Sequence, residues 1–112
     1  MALASGNEAL NHAHEIGDRK EIGAIYRVLG KAYIKTGSSE QALSCFQHSV
    51  AILRELNQEL DLTATLLDYA QALQETDHLD RARDILNEAL DLAERLSLPN
   101  EYGKILSMLE QL

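Results

Sequence analysis

The sequence predicts an all-α fold, and three observations carry that reading. Long Ala/Leu/Glu/Arg-rich runs dominate the 112 residues, while β-branched runs are few and Asn-Gly or Asp-Gly turns and sustained alternation are missing. Asn7-Glu8-Ala9-Leu10 returns as Asn87-Glu88-Ala89-Leu90, 80 residues on, with a looser copy, Gln47-His48-Ser49-Val50, midway. The intervening segments keep the same period of 40: Ile22 aligns with Leu62 and Tyr102, Ile25 with Thr65 and Ile105, and Leu29 with Tyr69 and Leu109. Each unit is therefore two helices, A and B, and the chain reads B, A, B, A, B, A.

In order, the spacing predicts six helices near 2–16, 19–36, 39–56, 59–76, 79–96 and 100–111. Asp18 and Glu21 have capping-box spacing at the start of the second helix, and so do Ser38 and Gln41 at the start of the third. Thr36-Gly37-Ser38 breaks the first A–B pair. Asp77 reads as the N-cap of the fifth helix. Pro99 closes the last B helix, and Asn100 reads as the cap of the sixth. Repeat boundaries follow within a single domain, residues 1–112: a half repeat at 1–18, repeats at 19–58 and 59–98, and a half repeat or capping helix at 99–112.

Gly30 lies inside a helix, where glycine costs roughly 1 kcal/mol relative to alanine. Its counterpart at the repeat period is Ala70, and the B helices carry Ala42 and Ala82. The recurrence of small residues marks a packing notch, with Phe46 and Leu86 filling the space beside it. Gly6 stands where the later B helices have Phe46 and Leu86, so the first helix is expected to lack that anchor.

Tyr26, Leu29-Gly30, Tyr33, Gly37, Ala42 and Phe46 resemble the tetratricopeptide repeat signature, with Ser49 where a second alanine is usual. Leu66, Tyr69-Ala70, Leu73, Asp77, Ala82, Leu86 and Ala89 form a degenerate second copy. The 40-residue period resembles the long variant found in kinesin light chains, Pins-type adaptors and bacterial regulators, and so does the link Ile16-Gly17-Asp18-Arg19. The resemblance implies a right-handed α-α superhelix of about six antiparallel helices. It also implies a non-catalytic interaction scaffold that binds a protein or peptide along the groove lined by its A helices, within a larger regulatory or signalling protein.

The A-helix positions left over from packing then face that groove: Ala24, Arg27, Val28, Lys31, Ile34 and Lys35, then Ala64, Leu67, Asp68, Gln71, Gln74 and Glu75, then Lys104, Ser107, Met108 and Gln111. Arg27, Lys31 and Lys35 recur every four residues and make one basic stripe. It lies in the balanced half of the chain. Residues 1–56 hold six acids and six Lys/Arg, whereas 57–112 hold twelve acids and four Lys/Arg, which accounts for the whole net charge of -8. An acidic and apolar segment is complementary to the stripe, although such a stripe also serves as a solvated charged face. A carboxylate-clamp receptor is not expected, because Lys31 stands where that clamp uses Asn and Asp68 would repel a carboxylate.

Acidity disfavours nucleic acid, whose phosphates need clustered Lys/Arg. No apolar run reaches membrane-spanning length, and MALASGNEAL lacks the basic and apolar regions of a signal peptide. The single Cys45 fits a reducing, cytoplasmic setting. It reads as a small packing residue rather than a nucleophile. His12 and His14 diverge on a helix, and His48 and His78 lack partners at zinc spacing. No cofactor, metal or enzymatic residue set is expected.

The outermost helices lack hairpin partners, and Ile105, Leu106, Met108 and Leu109 exceed what one neighbour covers. Three arrangements satisfy this: flanking repeats in a longer array, a terminal cap, or a second copy completing the first through the terminal helices. Glu110, in place of Gly30 and Ala70, favours the cap.

Overall fold

A computed structural model describes residues 2–112, with side chains from residue 6 onward. Six helices follow in order: α1 (Ala2–Ile16), α2 (Arg19–Lys35), α3 (Ser39–Glu55), α4 (Glu59–Glu75), α5 (Leu79–Arg95) and α6 (Pro99–Glu110). There is no strand among the described residues. The chain divides into two compact units, residues 1–58 and 59–112. In the first, α2 packs on both α1 and α3; in the second, α5 packs on both α4 and α6.

The helices stop for one reason, repeated five times. Gly17, Gly37, Asn57, Asp77 and Ser97 all take positive φ, between 55° and 79°. A left-handed residue just past a helix lets two amides fold back onto the last free carbonyls. The amides of Gly17, Gly37, Asn57, Asp77 and Ser97 reach the carbonyls of His14, Ile34, Arg54, Gln74 and Glu94, each at 3.2 Å. The next amides, of Asp18, Ser38, Gln58, His78 and Leu98, reach Ala13, Tyr33, Leu53, Leu73 and Ala93 at 2.7–3.1 Å. Each of α2 to α5 is 17 residues long, about 25 Å at 1.5 Å per residue.

This geometry corrects several expected caps. Asp77 ends α4 instead of starting α5, whose N-cap position is His78. Ser38 makes no cap bond; its hydroxyl accepts from Thr36 Oγ1 at 3.5 Å. Asn100 lies within α6, because Pro99, which needs no amide partner, takes the first turn behind Leu98. Asp18 does cap α2, its Oδ1 accepting from the Glu21 amide at 3.1 Å.

The core of unit one gathers Ala13, Ile22, Ile25, Leu29, Cys45 and Ile52, with Leu10, Tyr26, Tyr33 and Leu56 packed around them. Gly30 sits under the Phe46 ring: a Cβ there would come within 2.9 Å of Phe46 Cζ. The aromatic ring thus occupies the notch itself, rather than the space beside it. Gly6 plays a similar part, because a Cβ would meet Leu29 Cδ2 at 2.5 Å. The expected loss of an anchor is a site where Leu29 enters. Ser49 is fully buried and donates to the Gly23 carbonyl at 2.7 Å. That bond explains a hydroxyl at a position that alanine fills in the next unit, as Ala89.

In unit two, Leu66, Ala70, Leu73, Ala82, Leu86, Ala89 and Ile105 have no exposed surface. Thr63 and Thr65 are buried as well, and satisfy their hydroxyls on the carbonyls of Glu59 and Asp61, each at 2.8 Å. An ion pair joins the first residue of an A helix to the end of its B helix in each unit. Arg19 meets Glu55 at 2.7 Å, and Glu59 meets Arg95 at 2.7 Å. These positions are equivalent at the repeat period, with the charges exchanged.

Two outcomes follow for stability. Gly30→Ala should cost about 1 kcal/mol net, since overpacking against Phe46 outweighs the gain in helix propensity. Adding Phe46→Leu, which recreates the Ala70–Leu86 combination, should cancel most of that coupling in a denaturation double-mutant cycle. Ser97→Gly should raise stability by about 0.5–1 kcal/mol, because it relieves a left-handed residue. A lowered midpoint in urea would count against the turn assignment.

Candidate functional site

α2 is built with one buried and one open side. Ile22, Gly23, Ile25, Leu29 and Gly30 are buried. On the other side Ala24, Val28, Lys31 and Lys35 are exposed, with Arg27 and Ile34 half-buried at its edges. The interval of four residues that separates Arg27, Lys31 and Lys35 follows the helical turn, so the three share one stripe. Val28 is 57% exposed and sets apolar surface next to it. Lys35 lies in the last turn of α2, where a cation complements the negative end of the helix dipole.

The charge division seen in the sequence coincides with the division into units. Unit one is electrically balanced and unit two carries all eight net negative charges. The stripe of α2 is therefore the densest run of cations on any helix, set in a neutral body.

The expected groove residues of unit two are placed less uniformly. Gln71 and Lys104 are exposed and Gln74 is half-buried. Gln71 Nε2 donates to Glu75 Oε1 at 3.5 Å. Leu67 is a correction: at 8% exposure it belongs with the core. α4 is buried on most of its circumference, Thr63, Leu66, Tyr69, Ala70 and Leu73 among its buried residues, so being left over from the repeat pattern does not by itself make a position on it open. Ile105 is corrected for the same reason, being fully buried, whereas Leu106 is 38% exposed and Met108 and Leu109 are half-buried.

Sequence reasoning missed two aromatic arrangements. Tyr26 stacks on His48, with ring centroids 4.8 Å apart and planes at 17°. The Ser44 carbonyl lies 2.8 Å from His48 Nδ1 and can only accept, so that nitrogen carries the proton. In unit two the Arg81 guanidinium lies 5.8 Å from the Tyr69 ring centre and donates to its hydroxyl at 2.5 Å. The signal for both was available in the repeat register, which sets 26 opposite 48 and 69 opposite 81 across their hairpins.

Among the described residues no group of three His, Cys, Asp or Glu side chains could hold a metal ion. Cys45 is buried, and burial raises its thiol pKa, disfavouring the nucleophilic thiolate. No helix among the described residues is long and apolar enough to cross a membrane.

No individual curated protein matches the sequence. The family model for the tetratricopeptide repeat matches residues 21–95, which takes in α3, α4, α5 and nearly all of α2. Members of that family generally mediate protein–protein interaction and are typically non-catalytic. With its helical hairpins, its buried small residues and this match over most of its length, the chain belongs to the tetratricopeptide repeat family.

Proposed function

We propose that the protein is a non-catalytic adaptor that binds an acidic, partly apolar protein segment along the open side of α2. The observation that carries this reading is the stripe of Arg27, Lys31 and Lys35, flanked by Ala24, Val28 and Ile34, on a unit with no net charge. Carboxylates on the partner meet the cations while its apolar side chains cover Val28 and Ile34. Burying an aliphatic side chain contributes about 1.5–3 kcal/mol, and exposed ion pairs contribute about 0–1 kcal/mol each. Apolar contact thus supplies most of the affinity, and the cations choose the partner and speed its approach. Gln71, Gln74 and Lys104 give unit two a separate polar surface of its own.

The setting we infer is the cytoplasm, where a buried thiol such as Cys45 stays reduced, with the domain serving a larger regulatory protein.

The reading can be tested with a peptide that alternates glutamate and leucine. Lys31→Glu combined with Lys35→Glu should weaken its binding about tenfold, or 1.4 kcal/mol, with helical circular dichroism unchanged. Affinity for the unsubstituted protein should fall as salt rises. Arg54→Glu reverses a charge on α3 of the same unit, away from the stripe, and serves as the control. Equal losses from Arg54→Glu and the stripe variant would mean that net charge alone is being read, and would remove the site.

A further inference from the structure

We infer that unit one carries a pocket for a guanidinium group, the arginine side chain of a partner protein, between α1, α2 and α3. The pocket is open to solvent and has a volume of about 440 Å3. Leu29 of α2 and Gln41 of α3 both line it, and so do Tyr26 and Tyr33. The two tyrosines stand two turns apart on α2, across that helix from the stripe of Lys31 and Lys35. The pocket is therefore a second site, and it does not depend on the acidic-segment reading.

The other hairpin shows which group belongs there. At the repeat period Leu29 becomes Tyr69 and Gln41 becomes Arg81. In unit two a guanidinium bridges these two positions: that of Arg81 lies 5.8 Å from the Tyr69 ring centre and donates to its hydroxyl. In unit one the same two positions carry no cation, and both border the pocket.

The lining suits a planar cation. Tyr26 and Tyr33 are half-buried, where unit two has the fully buried Leu66 and Leu73. A guanidinium is attracted to the face of a tyrosine ring, and it is more weakly hydrated than an ammonium. Tyr26 is already held by its stack on His48. From α3, Glu40 and Ser44 line the pocket together with Gln41. The Glu40 carboxylate makes no ion pair among the described residues. No Lys or Arg lines the pocket among the described residues either. The oxygens of Glu40, Ser44 and the two phenols can accept from the five N–H groups of an arginine. A phosphate or carboxylate would instead meet Glu40 with like charge. The open mouth admits a side chain that projects from another protein, in keeping with a family that mediates protein–protein interaction.

The test follows backbone amide NMR shifts of the isotope-labelled full chain as N-acetyl-Leu-Arg-Leu-amide is added. Saturable shifts should gather at Tyr26, Tyr33, Ser44 and Cys45. The same peptide with citrulline in place of arginine keeps the shape and loses the charge, and should bind about tenfold more weakly. Gln41→Arg returns the cation of the other hairpin to the pocket, and should abolish the shifts with circular dichroism unchanged. Glu40→Gln should weaken binding about threefold. Glu21→Gln removes the same charge at the other end of α2 and should leave binding unchanged. Absence of saturable shifts at these residues, equal binding of the citrulline peptide, undiminished binding to Gln41→Arg, or equal losses from Glu40→Gln and Glu21→Gln would each overturn the inference. N-acetyl-arginine amide separates the two sources of a guanidinium. It should bind more weakly than the peptide, and equal affinity would overturn the assignment to a partner protein in favour of a free guanidinium compound.

Discussion

A single backbone conformation sets the dimensions of this protein. At residues 17, 37, 57, 77 and 97 the chain turns left-handed, and at each of them the same two amides return to the same two carbonyls. Within each unit the turn fixes the direction in which the next helix leaves. The helices between turns are therefore equal in length from α2 to α5, and side chains 40 residues apart fall in equivalent surroundings. Packing then has to be solved only once, with variations. Gly30 under Phe46 and Ala70 with Leu86 divide one volume in two ways. Where unit one has Gly23 and Ser49, unit two has Thr63 and Ala89: the Ser49 hydroxyl donates across to the Gly23 carbonyl, whereas the Thr63 hydroxyl donates within its own helix to Glu59.

Most of this architecture was legible in the sequence, because hairpins that repeat must repeat their apolar and small positions. The positions of all six helices followed from that register to within one residue. The turns were harder to read. Their left-handed position holds glycine twice, and then Asn, Asp and Ser. Asp is favoured both there and at the start of a helix, so Asp77 was open to two readings and the register of 20 passed unnoticed. Assigning the candidate site depended on knowing which side of a helix stays open. That worked for α2, where one side alone is buried, and failed for Leu67 on α4, where burial extends almost all round.

The site itself shows how a repeat protein can carry function on unequal halves. The apolar seams of the two units are nearly interchangeable, but their charges are not: the cations of α2 stand in a balanced unit and the excess acid lies in the other. Residues freed from packing are the ones that diverge, and so they are the ones that distinguish a partner.

The exchanged ion pairs carry a consequence for how the chain finds its fold. Arg19–Glu55 and Glu59–Arg95 are exposed, so neither adds much to stability. Their value lies in the comparison between pairings. If α2 were to form a hairpin with α5, Arg19 would face Arg95; if α4 were to form one with α3, Glu59 would face Glu55. Two hairpins similar enough to trade partners are thereby labelled with opposite polarity. A chain that trades helices, with itself or with a neighbour during folding, meets repulsion at both ends of the exchange.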